Sequence, residues 1–124
     1  MDHLEKQSSA HFKRYCKTLR LQNDARLINE YKKLHAAGGS WPEITQGMRE
    51  VGILDMEIYL LGDHLFMIMD TVPDFDHDSA MQLLATKPRQ AEWEATVARF
   101  QRTSASATAN EKWQLMERIY KLGE

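Results

Sequence analysis

Apolar positions along this chain keep two different rhythms, and turn- or cap-forming residues stand between them. From Tyr15 to Leu21, β-forming residues place Tyr15, Leu19 and Leu21 on one parity, the pattern of a short, half-buried strand. Asn23-Asp24 supplies helix-cap chemistry, and Leu27, Ile28, Tyr31, Leu34 and His35 then recur at the three- and four-residue spacing of one helix face. Gly38-Gly39 interrupts that helix. Ser40-Trp41-Pro42 restarts it, since proline fits a first helical turn, and Ile44, Met48 and Val51 carry the apolar stripe to Gly52. Met56–Leu61 and His64–Thr71 flank Gly62-Asp63, a two-residue connection suited to a hairpin. After Pro73, Met81, Leu83 and Leu84, then Trp93, Val97 and Phe100, return to helical spacing in two pieces separated at Pro88.

Residues 101–110, rich in Ser, Thr and Ala, read as a loop. The segment from Trp113 to Tyr120 fits either period, and the preceding order β-α-β-β-α favours a final strand. The fold class is therefore α+β: a ferredoxin-like βαββαβ unit with one antiparallel four-stranded sheet and both helical regions on one face. Residues 1–13, polar and without period, are set apart as a flexible extension, leaving 14–122 as one domain.

Composition narrows what such a domain does. Sixteen Lys and Arg stand against eighteen Asp and Glu, a net charge of −2, which argues against a nucleic-acid partner. An apolar share of 43% suffices for a core, so intrinsic disorder is excluded for most of the chain. The longest apolar run, Leu65 to Met69, is too short to span a membrane, and no signal-peptide pattern opens the chain. A cytoplasmic location is expected. Leu65–Met69 is, however, apolar on both parities. Helices on one side of the sheet leave the other side uncovered, so a symmetric partner, a homodimer, is expected.

Chemistry-bearing patterns are few. There is no H-E-x-x-H, no glycine-rich phosphate loop and no nucleophile elbow, and the one cysteine, Cys16, reads as a small core residue. Neither metal nor cofactor is expected. The acidic run Asp74-Phe75-Asp76-His77-Asp78 reads as a solvated helix start. Tyr31 and His35 differ from these: four residues apart, they stack on the apolar face of one helix, just before its glycine break. A phenol beside an imidazole can exchange protons with a ligand near neutrality.

Tyr31-Lys32-Lys33-Leu34-His35 followed by Trp41-Pro42-Glu43-Ile44 resembles the Y-x-x-x-H…W-P-E core of the L-rhamnose mutarotase family. The resemblance continues through Gly52–Leu60 and Leu65–Met69 and covers residues 14–122. It implies a dimeric α/β barrel of two ferredoxin-like protomers packed sheet to sheet, with a monosaccharide inside each. It also implies interconversion of the α and β anomers of a 6-deoxy-L-hexose by general acid/base ring opening. His35 and Tyr31 match the family's proton donor and substrate partner; His35 is expected to protonate the ring oxygen while Tyr31 orients a hydroxyl or relays the proton. Trp93, Glu92, Met56 and Trp41 are the expected substrate contacts.

Three departures surround that pair: a longer loop through residues 36–40, Glu92 in place of the first of two tryptophans, and Met56 in place of a tyrosine. Altered contacts beside a retained proton-transfer pair point to the same reaction on a different sugar, L-fucose. Two rival readings stand at this level, a small oxygenase of the same dimeric-barrel architecture and a non-catalytic binding module, because fold does not decide function.

Overall fold

Strand β1, Lys13–Arg20, alternates as its parity demands: Lys17 and Leu19 are buried toward the helices while Arg14 and Arg20 face outward. The computed structural model describes residues 11–36, 38–104 and 107–123. The strand begins one residue before the boundary that the sequence suggests, and the rest of the N-terminal extension, residues 1–10, lies outside the described residues. Helix α1, Ala25–His35, starts where Asp24 accepts hydrogen bonds from the backbone N–H of Arg26 and Leu27 at 2.9 and 3.1 Å. It ends at His35, as Ala36 turns extended and Gly38 adopts φ +84°. Helix α2, Pro42–Glu50, opens with proline in its first turn and buries Ile44. Gly52 stops it at φ +104°, with Val72 and Phe75 close against its missing Cβ.

Strands β2, Ile53–Leu61, and β3, His64–Thr71, form the expected hairpin, closed by the pair Leu61↔His64. Helices α3, His77–Leu84, and α4, Gln90–Ala98, lie on either side of Pro88. A short helix α5, Ala109–Lys112, precedes strand β4, Gln114–Leu115. The sheet order β2-β3-β1-β4, antiparallel throughout, is that of the ferredoxin-like βαββαβ unit. Tyr15, Lys17 and Leu19 of β1 stand in register with Met69, Met67 and Leu65 of β3, and Met56 and Ile58 of β2 extend the same row. This face carries the core and the helices. The opposite face carries Cys16, Thr18, Phe66 and Ile68, all half-buried in the single chain.

Three sequence expectations need correction. Cys16 is not a core residue; its parity sends it to the face away from the helices. The segment read as loop ends in α5, whose capping box joins Thr108 and Glu111. The final strand shrinks to two residues. It is an edge strand paired with β1 alone, through Lys17↔Leu115 and Thr18↔Gln114, and beyond it Ile119 and Tyr120 are 90% and 74% exposed. No described helix is long and apolar enough to cross a membrane.

Candidate active site

Between the core face of the sheet and the helices lies a cavity of about 430 Å³, within the usual range for small-molecule sites. Its floor is Met67, Met69, Met56 and Ile58 of the sheet, with Lys17 among them, and its walls come from α1, α2 and α4. Tyr31 and His35 line it together. The i,i+4 spacing on α1 brings their rings to 4.2 Å between centroids.

Their environments differ in a way that sets their chemistry. The Tyr31 phenol is buried and accepts a hydrogen bond from Gln101 Nε2 at 3.2 Å. Burial pushes its pKa up to about 12, so it stays protonated and free to donate toward the cavity. His35 sits at the exposed helix end, yet its ring is wedged between Tyr31 and Trp93, whose centroid lies 5.5 Å away. That crowding desolvates the imidazole and lowers its pKa below the usual 6.5, against a smaller opposing pull from its bond to the Tyr31 backbone. His35 Nδ1 lies 2.9 Å from the Tyr31 carbonyl oxygen, which can only accept, so Nδ1 carries the hydrogen. The neutral ring therefore presents an unprotonated Nε2, a base.

Trp93 lines the cavity and is packed edge-on by Trp41 at 5.2 Å. Met56 is on the floor. Trp41 and Glu92 lie outside the cavity lining. The Arg89 guanidinium stacks over Trp41 at 4.1 Å and binds both Glu92 carboxylate oxygens at 3.0 Å, which holds the Glu92 pKa low. Arg89 adopts φ 63°, the one non-glycine residue with positive φ among those described, at the N-terminal boundary of α4. Trp41, Arg89 and Glu92 thus form an outer brace behind Trp93.

The sequence reading missed a buried polar chain. Gln90 donates to Glu94 at 2.5 Å, Glu94 pairs with Lys112 at 2.6 Å, Lys112 donates to Gln101 at 2.8 Å, and Gln101 donates to Tyr31. All five side chains are buried, and Gln90 Oε1 has no hydrogen-bond partner among the described residues. Lys17, 1% exposed, was missed too. A signal existed for each. Lys17 interrupts the core parity of Tyr15, Leu19 and Leu21, while Gln90 and Glu94 share the helix face of Trp93 and Val97. Among the described residues, no three His, Cys, Asp or Glu come together to hold a metal ion.

The scaffold is a ferredoxin-like α+β fold, and its cavity sets a phenol and an imidazole over a floor of methionines. Comparison with known proteins places it more narrowly. The L-rhamnose mutarotase family model matches residues 14–122. A protein of Xanthomonas campestris pv. campestris named L-fucose mutarotase is 36% identical over 111 residues, covering 90% of this chain and 89% of that one. A Dictyostelium discoideum protein of the group designated UPF0734 is 36% identical over 118 residues, covering 92% and 93%. The crystal structure of an L-rhamnose mutarotase from Formosa agariphila shares the fold, with a TM-score of 0.67 at 17% identity, over 89% of this chain and 98% of that one. The chain belongs to the L-rhamnose mutarotase family, whose members are anomer-interconverting enzymes of the isomerase type.

Proposed function

We propose that this protein interconverts the α and β anomers of a 6-deoxy-L-hexose, L-fucose or L-rhamnose, with His35 and Tyr31 at the reacting centre. One observation carries the reading: the two side chains lie ring to ring on the cavity wall, with His35 anchored as a base by the Tyr31 carbonyl. Mutarotation opens a cyclic hemiacetal and closes it on the other face. It needs a group to take the anomeric hydroxyl proton and a group to protonate the ring oxygen, then the reverse. The Nδ1–H tautomer changes the order expected from sequence, because His35 accepts the first proton and becomes a donor only after ring opening. Tyr31, holding its own proton, orients a hydroxyl. Trp93 and the methionines offer apolar surface to the C–H face and the 6-methyl group of the sugar. Trp41 acts on that contact indirectly, by packing on Trp93, and Glu92 does so by holding Arg89 against Trp41. Similarity to a protein named for L-fucose supports L-fucose as the preferred substrate.

Saturation-transfer NMR of anomeric exchange checks this directly on L-fucose, L-rhamnose and two D-aldoses. Exchange of one L-sugar is expected to exceed the buffer rate, with the D-aldoses unaffected. No acceleration for any sugar overturns the reading.

We further propose that the active form is a homodimer, closed through the sheet face bearing Phe66 and Ile68 into a dimeric α/β barrel. That face is apolar at its centre with no described helix over it, and Ile119, Tyr120 and Leu122 lie exposed beyond the β4 edge. Sedimentation equilibrium should give twice the chain mass. Replacing Phe66 and Ile68 together by lysine should give the monomer, and a wild-type monomer at micromolar concentration would contradict the proposal.

A further inference from the structure

Ring opening by this pair lacks one component. His35 enters as a base, and the Tyr31 phenol, its pKa pushed up to about 12 by burial, can orient a hydroxyl but is too weak an acid to suit protonation of the ring oxygen. Across the cavity, Lys17 rises from the middle of β1, in register with Met67 on one side and Leu115 on the other. It lines the cavity and is 1% exposed, and its ammonium has no hydrogen bond or ion pair among the described residues. A lysine held like this has no structural return. Its charge is desolvated and, among the described residues, only the weak pull of Asp78 offsets that, whereas the other buried lysine, Lys112, is paired on two sides.

The charged and titratable groups around Lys17 leave its protons available. Asp78 of α3 exerts a weak attraction and is itself largely exposed. Glu94 of α4 is already engaged by Lys112 of α5 and by Gln90. Tyr31 and His35 face the cavity from α1, and Tyr15 is the next titratable group on the same face of β1. The neighbouring residues of β3 and β4 are uncharged, and Arg49 of α2 and Asp55 of β2 also line the cavity. Desolvation brings the ammonium pKa down to about 8, close to the working range for acid catalysis.

We infer that Lys17 is a catalytic residue, the acid that protonates the sugar ring oxygen while His35 takes the anomeric proton from the other side. The inference rests on the mutarotase reading of this cavity. In the forward step the anomeric O–H proton passes to His35 Nε2. The C1–O1 bond becomes a carbonyl, the C1–O5 bond breaks, and O5 takes a proton from the Lys17 ammonium. The products are the open-chain aldehyde, an imidazolium and a neutral amine. After rotation about C1–C2, the O5 hydroxyl returns its proton to Lys17 as O5 attacks the other face of C1. O1 regains a proton from His35, directly or through water at the open mouth. Both side chains end as they began.

The test measures anomeric exchange of L-fucose and L-rhamnose across pH for the wild type, Lys17→Met and Lys17→Arg. Lys17→Met is expected to lower kcat by about 100-fold or more with KM changed only a few-fold, as for loss of a general acid. The wild-type rate should fall as pH rises through about 8, where the ammonium loses its proton, and in Lys17→Arg that basic limb should move out of range. Lys17→Met should melt no lower than the wild type at pH 7, because it removes a buried charge that Asp78 offsets only weakly. Should Lys17→Met fail to fold, the wild-type limb and its displacement in Lys17→Arg decide the matter. A Lys17→Met enzyme within threefold of wild-type kcat, or a basic limb unmoved in Lys17→Arg, overturns the role of Lys17 alone. A wild type that exchanges neither sugar removes the mutarotase reading and this inference together, before any variant is made.

Discussion

Lys112→Met should destabilise the protein by about 3–5 kcal/mol, although methionine fits the space. The Lys112 side chain is fully buried, and its ammonium is shared between Glu94 Oε1 at 2.6 Å and Gln101 Oε1 at 2.8 Å. Removing it leaves a carboxylate in the interior with only the Gln90 amide as partner, and it leaves the Gln101 oxygen unmatched. Losing one member of a buried pair costs far more than losing both, because the survivor keeps its desolvation without its compensation. Lys112→Met combined with Glu94→Gln should therefore recover most of the loss, a coupling that a double-mutant cycle in chemical denaturation reads directly. The single variant should also disturb catalysis, since Gln101 holds the Tyr31 hydroxyl. A loss below about 1 kcal/mol in the single variant would mean that the chain is not the tightly coupled unit described.

Position in the fold explains which of these features could be read from the chain. Period and punctuation are local, so the β1 parity, the α1 stripe, the break after His35, the proline start of α2 and the Gly62-Asp63 hairpin were all legible. Tyr31 and His35 were legible for the same reason, because i,i+4 spacing on one helix dictates their contact. The chain from Gln90 to Tyr31 was not, since it assembles side chains from α4, α5, the segment after α4 and α1, and only tertiary packing brings these together. Polar residues on core faces were the available clue. Lys17 sits at a core parity, and Gln90 and Glu94 flank Trp93 on the buried side of α4, so each breaks the local apolar pattern. The C-terminal strand was overextended for a different reason. Alternation can be read from sequence, but strand length depends on a neighbour, and β4 has β1 on one side only. The T-x-x-E capping box of α5, Thr108 to Glu111, is a local helix-start signal that ends the loop before residue 110.

His35→Ala should reduce anomeric exchange by about 10²–10⁴-fold, the range for losing a positioned acid–base group, while leaving the fold intact. His35 is at the exposed end of α1 and its hydrogen bond lies within that helix's own C-terminal end, so its removal gives up ring contacts with Tyr31 and Trp93 but leaves the sheet untouched. Tyr31→Phe should behave differently. The phenol does not ionise below about 12, so its removal costs orientation rather than a proton, and the rate should fall by about tenfold. That variant should also lose stability by about 1–3 kcal/mol, because Gln101 Nε2 is left unsatisfied in the interior. The pH profile separates the two roles further. His35 must be neutral to accept the first proton, so activity falls as pH drops through its pKa, and desolvation has moved that pKa below 6.5. The acid limb of kcat/KM should therefore lie below 6.5 in the wild type and vanish in His35→Ala, whereas Tyr31→Phe should retain it. Equal losses in the two variants, with the acid limb gone from both, would make Tyr31 a proton carrier and require another group to orient the sugar.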